Sequence, residues 1–503
     1  MDATSSSARN CDKRERYNCI RPALRFLPLV AAVAFGLNGA AQAATIVVDD
    51  ASATSVAGKC TLVDAIAAVN GAFAVNGCIA GNGNNDTIDL RAFSVPTSIS
   101  LTQSAGGHAL MVSNPLTIVG SLAADGTPFV TLERSSVSGT PNFGLLMSSA
   151  ALTIDGLILQ NGVTDAGYCG GALAVGDNLV VKNSIVRNNI SSGGGGGIFA
   201  TGDTTLRNSV ITGNSAVNGG GGVAAVYALH AYYTTISNNQ VTASDAIGGG
   251  GVYSSGMAIA SHSTISGNTS ASHGGGVYSL SVLNLLHSTL SNNTAQNGPG
   301  GGAYARNGGI SVQSSTISNN FASTTGGGIS TSDGDFTNST ISGNRSGGDG
   351  AGIFASNATL MYSTLSANVS AGVGGGVSFR QSGVANGSII YGNMPDDVNT
   401  DSHTGMTGAF DLIGKAPFGV PSGTLSCDPK LGTLADNGGG TATMQLMNGS
   451  CAVDAASASP TVNVDQRGDA RPGAQGSKAD MGAAESDSLQ QSSGDDIFLG
   501  GFQ

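Results

Sequence analysis

The ionisable side chains of this sequence are few, and their spacing decides what chemistry they can do. Only 10% of the 503 residues are charged. A calcium-using polysaccharide lyase needs several Asp to hold the ion and an Arg or Lys base beside them. A glycosidase needs two carboxylates flanking one bond. Between positions 151 and 393 the acids Asp155, Asp165, Asp177, Asp203, Asp245, Asp333, Asp335 and Asp349 are scattered, as are Lys182, Arg187, Arg207, Arg306, Arg345 and Arg380. They assemble neither arrangement, so no catalytic residue is assigned. The densest acidic group is Asp396, Asp397 and Asp401 with His403. It has the ligand types for calcium, but it sits where the chain changes character, as Asp residues in a turn do. Glycine clusters are numerous, yet no Lys-Ser/Thr and no helix follows them, so they are not phosphate loops. They also lack the nonapeptide spacing of calcium-binding glycine–aspartate repeats. No metal or cofactor site is assigned.

The elements that would have to position such residues are set by an internal repeat. Ser184–Asn189 (SIVRNN), Ser209–Asn214 (SVITGN), Thr234–Asn239 (TTISNN) and Ser263–Asn268 (STISGN) are one motif. It continues through Ser288–Asn293, Ser315–Asn320, Ser339–Asn344, Ser363–Asn368 and Ser388–Asn393, returning every 24 to 29 residues. Between copies, glycine clusters precede Ile198, Val223, Val252, Val277, Ala303, Ile329, Ile353 and Val377. Glycine numbers 78 in all, without a collagen triplet. Each unit thus holds short β-prone runs between Gly/Asn/Ser turns and no amphipathic helical stretch. Leucine-rich and helical repeats are excluded, and an all-β parallel β-helix with coils of about 25 residues is predicted.

Stacked coils set equivalent residues about 4.8 Å apart, so each repeat position becomes a column. Val186, Ile211, Ile236, Ile265, Leu290, Ile317, Ile341, Leu365 and Ile390 form the dry interior. The hydroxyl residues two places earlier, from Ser184 and Ser209 to Ser388, share that face by the period of two. The closing residues Asn189, Asn214, Asn239, Asn268, Asn293, Asn320, Asn344, Asn368 and Asn393 form a structural asparagine ladder. Lys182 and Arg207 share a column and, lacking a carboxylate, read as a solvated face. His262 and His287 share another; two ligands are too few for a metal, so they read as turn positions. Tyr253, Tyr278 and Tyr304 follow the glycine clusters on three consecutive coils, with Phe199 and Phe354 in the same column. Parity points them outward, to stack on sugar rings or on one another. They are the candidate ligand-binding residues.

The ends of the chain differ from its middle. Lys13, Arg14, Arg16, Arg21 and Arg25 precede an apolar run from Phe26 to Leu37 and then Ala41-Gln42-Ala43, the pattern of a signal peptide over 1–43 cleaved before Ala44. No later segment is apolar long enough to cross a membrane. Without 1–43 the net charge is −15, from 14 basic and 29 acidic residues. That mild acidity gives no reason to expect nucleic acid as a partner. Cys60 lies near Cys78, and Cys427 near Cys451, while Cys169 stands alone. Export makes two local disulfides the natural reading. A solenoid also needs its ends closed. Thr61 to Asn70 has Leu62, Ile66 and Val69 on one helical face and Thr61 with Asp64 as a capping box, so a short helix is expected over the first coil.

These terminal motifs resemble a known family. Cys60-Thr61-Leu62-Val63-Asp64-Ala65-Ile66 is similar to the CSLREA motif that opens many bacterial exported β-helix proteins, and Cys78 and Asp86-Thr87-Ile88 follow as they do there. Asp428-Pro429-Lys430-Leu431-Gly432, Asp436-Asn437-Gly438-Gly439, Val453-Asp454, Asp465-Gln466-Arg467-Gly468 and Arg471-Pro472 resemble the choice-of-anchor Q region. Asp480-Met481-Gly482-Ala483-Ala484-Glu485 resembles its DIGAFE ending. The chain departs from the pattern at Val63-Asp64, where the family has Arg-Glu, and at Cys451, where it usually has Pro. The resemblance spans nearly all of 44–485 and implies a right-handed, pectate-lyase-like β-helix outside the cell or on its surface, with no activity attached. Asp496 to Phe502 resembles short tails on such proteins, either a sorting signal or a frayed terminus.

The expected organisation is a signal peptide (1–43), an N-terminal cap (44–85), a parallel β-helix (86–395), a choice-of-anchor Q-like region (396–485) and a tail (486–503). The expected function is a non-catalytic scaffold, extracellular or on the bacterial outer surface, contacting a glycan, a matrix component or another cell. The alternative is a carbohydrate-active enzyme, a lyase or hydrolase, on the same fold.

Overall fold

The computed structural model describes residues 43–103, 107–400, 405–417, 419–473 and 476–486. The expected leader up to residue 42, Asp401, His403 and the tail from 487 lie outside the described residues.

Each regular coil spends its residues on four short strands. In one coil these are Ile198–Ala200, Thr204–Arg207, Val210–Thr212 and Ser215–Ala216. Pairing is parallel and in register with the coil on either side, so that Thr235 stands between Val210 and Thr264. The first two strand columns belong to a sheet of 24 strands, the third to one of 13 and the fourth to one of 9. The chain is a parallel β-solenoid of about 11 turns. Its third strand alternates as the sequence does, with Thr235 and Ser237 half-buried outside and Ile236 inside. From Val186 to Ile390 no member of the interior column is more than 3% exposed. Each such side chain contributes roughly 1.5–3 kcal/mol by leaving water.

Two corners turn the chain through the left-handed region. The first holds Asn183, Asn208, Tyr233, His262, His287, Ser314, Asn338 and Tyr362, with φ between 45° and 51°. The second holds Asn188, Asn238, Asn292 and Asn319 on some coils, Gly213, Gly267, Gly343 and Gly392 on others, and Ala367 at φ 60°. Asn and Gly recur there because they tolerate this region at least cost.

Just past the second corner, amides run along the axis. Asn239 accepts at Oδ1 from the backbone N–H and the Nδ2 of Asn214 (both 3.0 Å), and donates in turn to Asn268 Oδ1 (3.0 Å) and to Ile211 O (2.9 Å). The same bonds join the column from Asn189 to Asn393. Glycine faces it: a Cβ on Gly251 would stand 3.0 Å from the Asn268 amide and 2.8 Å from Gly276 O. Part of each glycine cluster therefore exists to let the ladder approach.

At the N-terminal end α1 (Leu62–Gly71) lies over the first coil, with Thr61 as N-cap and Leu62, Ile66 and Val69 at most 4% exposed. The Cys60–Cys78 bridge pins it, and Cys427–Cys451 closes the second loop. Strand β1 (Thr45–Val47) pairs with β2 (Asp86–Asp89), so part of the expected cap is already the first coil. The solenoid also outruns its expected boundary at 395. Val398–Thr400, Thr407–Ala409 and Leu412–Ile413 all pair with the coil before them.

The described residues of 427–486 then turn back along the flank of the solenoid. Their apolar side chains Leu446, Ala452, Ala456, Ala479 and Met481 form a second core with Tyr362, Ile389 and Leu412. Arg471, 4% exposed, pairs with Glu485 at 2.8 Å and lies 4.4 Å over the Tyr362 ring. No helix among the described residues is long and apolar enough to cross a membrane.

Candidate functional site

The tyrosine column does not form an accessible binding stripe. Tyr253 and Tyr278 are 4% and 1% exposed, and Tyr304 is half-buried. The parity argument is right that they point away from the main core. They enter a separate cluster with Cys169, Phe199 and Ala224, closed over by Val226, Ile247 and Leu280. Tyr253 and Tyr278 stack at 5.9 Å, Tyr304 lies tilted against Tyr278 at 5.4 Å, and the His273 ring abuts Tyr304. Burial pushes the Tyr253 phenol up to about 12. The side chains of neighbouring turns cover this strand face, which strand parity cannot foresee.

Of the acidic candidates, Asp396 and Asp397 are committed to backbone and to a cation. Asp397 terminates the asparagine ladder: its Oδ1 accepts from Asn393 N and Nδ2 (both 2.8 Å) and its Oδ2 from Lys415 N (2.7 Å). Burial raises its carboxyl, opposed by those donors. Asp396 pairs with Lys415 at 3.1 Å. A second ladder, in which Ser363 N donates to Ser388 Oγ (3.2 Å), ends on Asp411, whose Oδ1 accepts Ser388 N at 2.9 Å. Desolvation pushes Asp411 up to about 7. Lys182 is not without a carboxylate, because the register sets it beside Asp155 at 3.1 Å. Arg207, next in that column, lies 4.6 Å over the Tyr232 ring.

The first left-handed corner presents what the tyrosine column does not. Tyr233, His262 and His287 are exposed and stack in a row, with centroids 4.9 Å apart at both steps. Near-parallel stacking spends the ring faces on each other and leaves the edges to solvent. It also sets the imidazole lone pairs side by side, where they do not converge on one metal. Burial and the charge of His262 both lower His287. Among the described residues no group of three or more His, Cys, Asp or Glu is placed to hold an ion.

Directly beside this row run the outward hydroxyls of the third strand: Thr235 and Ser237, Thr264 and Ser266, Thr289 and Ser291. The three coils thus offer a grid of ring edges and hydroxyls, with no Asp, Glu, Lys or Arg from 233 to 237, 262 to 266 or 287 to 291. On the next coils the same column is covered. Thr316, Thr340 and Thr364 are at most 1% exposed. Gln466 bridges Thr316 Oγ1 (3.0 Å) and Thr340 Oγ1 (2.7 Å), and Thr364 Oγ1 accepts Ala483 N at 2.9 Å. The repeat does carry a signal for the corner row, since three ring-bearing residues precede consecutive TTIS, STIS and STLS segments. In the sequence the two histidines read as turn positions, and Tyr233 is assigned no role.

A family model for the Chlamydia polymorphic membrane protein repeat matches residues 262–280. No curated protein matches the chain. Among solved structures the chain is similar to pectate lyase Pel9A, at 10% identity and a TM-score of 0.34, over 81% of this chain and 92% of that one.

Proposed function

We propose that the protein is an exported β-solenoid of the cell surface or extracellular space that binds a glycan without turning it over, through the Tyr233–His262–His287 row and the hydroxyl grid beside it. One observation carries the reading. The outward threonine column is a hydrogen-bonding platform already in use at Thr316, Thr340 and Thr364, and it continues open through Thr289, Thr264 and Thr235. The open part is uncharged and rigid, and it repeats about every 4.8 Å, close to the length of one sugar residue in a chain. A polyhydroxylated polymer lying along the axis meets donors and acceptors at each coil. A match to a polymorphic membrane protein repeat within these coils and two disulfides support a surface setting. So does the likeness of both chain ends to exported β-helix proteins.

The test is binding of purified residues 44–503 to neutral and acidic polysaccharides with product analysis alongside. Tyr233→Asn/His262→Asn/His287→Asn keeps the corner, because Asn183, Asn208 and Asn338 already occupy that column. It should weaken binding about tenfold, roughly 1.4 kcal/mol. Unchanged binding would move the site elsewhere. Released oligosaccharides would make the protein an enzyme.

A further inference from the structure

Asp86 is a buried carboxylate at the start of β2, 0% exposed. Its partners are three backbone nitrogens: Oδ2 accepts from Asn82 N (2.8 Å) and Gly83 N (3.1 Å), and Oδ1 from Ala44 N (2.8 Å). The approach is close, since a Cβ on Gly81 would stand 2.7 Å from Oδ2. Among the described residues no Lys, Arg or His side chain pairs with it. A buried charge without a counter-charge is costly even when hydrogen-bonded. Ala44 is held at both ends, its carbonyl accepting Thr87 N at 2.8 Å one residue before β1 begins. Ala41-Gln42-Ala43 immediately precedes it.

We infer that Ala44 is the first residue of the exported protein and that its freed α-ammonium is the missing counter-ion of Asp86. A leader peptidase hydrolyses the Ala43–Ala44 amide. One water is consumed, a carboxylate remains on Ala43, and the new amine on Ala44 takes up a proton at neutral pH. The nitrogen that donated one neutral hydrogen bond to Asp86 then brings a positive charge to the same 2.8 Å contact. Processing therefore completes the first coil, and the paired amine titrates above the ordinary α-amino range of about 7.7–8.0. The sign follows from linkage. An amine raised in the folded state contributes stability that is complete below its unfolded pKa and lost as pH rises through the folded one.

The experiment compares the full exported chain starting at a free Ala44 with the same chain acetylated at Ala44, each also carrying Asp86→Asn. N-terminal sequencing of exported protein should begin at Ala44. Near pH 6 the free-amine chain should melt several degrees above the acetylated one, and the gap should close towards about pH 10. Asp86→Asn should remove the gap. A first residue other than Ala44, or equal melting of free and acetylated chains near pH 6, overturns the inference. The comparison of free with blocked amine needs no substitution, so it stands even if Asp86→Asn does not fold.

Discussion

Ala367 stands in the second corner at φ 60°, exposed, where other coils place Gly or Asn. A left-handed conformation costs an L-residue with a Cβ roughly 1–2 kcal/mol. Glycine removes that cost but returns about 0.4–1 kcal/mol of unfolded-state freedom. Ala367→Gly should therefore stabilise by about 0.5–1 kcal/mol, read as a higher urea midpoint with an unchanged slope. A lower midpoint would show that the corner imposes no such cost. At this scale the sequence was readable, because Asn-Asn, Gly-Asn and Ala-Asn at one repeat position already name a corner residue.

At the scale of the element, a ladder whose donors and acceptors repeat along the axis must end on something other than another copy of itself. Both ladders end on Asp: Asn393 on Asp397, and Ser388 on Asp411. Asp411 has a second oxygen that is buried without a hydrogen-bond partner. Its carboxyl is held up to about 7, while in the unfolded chain it ionises near 3.8. Between those values the folded state binds the extra proton, so this group's contribution is full at acid pH and is lost as pH rises through about 7. Asp411→Asn should flatten that fall in a series of thermal melts from about pH 4 to about pH 8. A wild-type profile that rises over the same window would contradict the assignment. The amide ladder was legible from its period, but its terminators lie outside the repeat and carry no periodic mark.

For the whole molecule, the folded-back segment 427–486 makes one repeat column mean two things. Thr264 and Thr340 occupy the same column in nearly the same local sequence, and only Thr340 is roofed by Gln466. Thr264→Asp should change stability by no more than about 0.5 kcal/mol. Thr340→Asp buries an unpaired charge and should cost several kcal/mol, loosening the flank enough for limited proteolysis to detect. Ile265→Asp, one residue from Thr264 and in the dry interior, should be the most damaging of the three. Equal thermal shifts at Thr264 and Thr340 would mean that the segment does not dock there in solution. The motif residues near the C-terminus have visible tasks in this docking. Gln466 bridges threonines, Arg471 lies on Tyr362, and Asp465 accepts the N–H groups of Arg467, Asp469 and Glu485.

The amino-acid sequence alone determined the coil, its period, the dry column, the amide ladder, the capping helix and the two cysteine pairs. All of these follow from contacts that are local or that recur at one fixed step, so periodicity and spacing expose them. Only the tertiary structure decided which outward residues meet solvent. Tyr253 and Tyr278 are outward by parity yet buried by neighbouring turns, and Thr340 is outward yet covered by a segment 126 residues away. Tyr233, His262 and His287, in turn positions, remain open. Exposure is set by packing between segments far apart in the chain, and a repeat position carries no information about what the rest of the molecule lays over it.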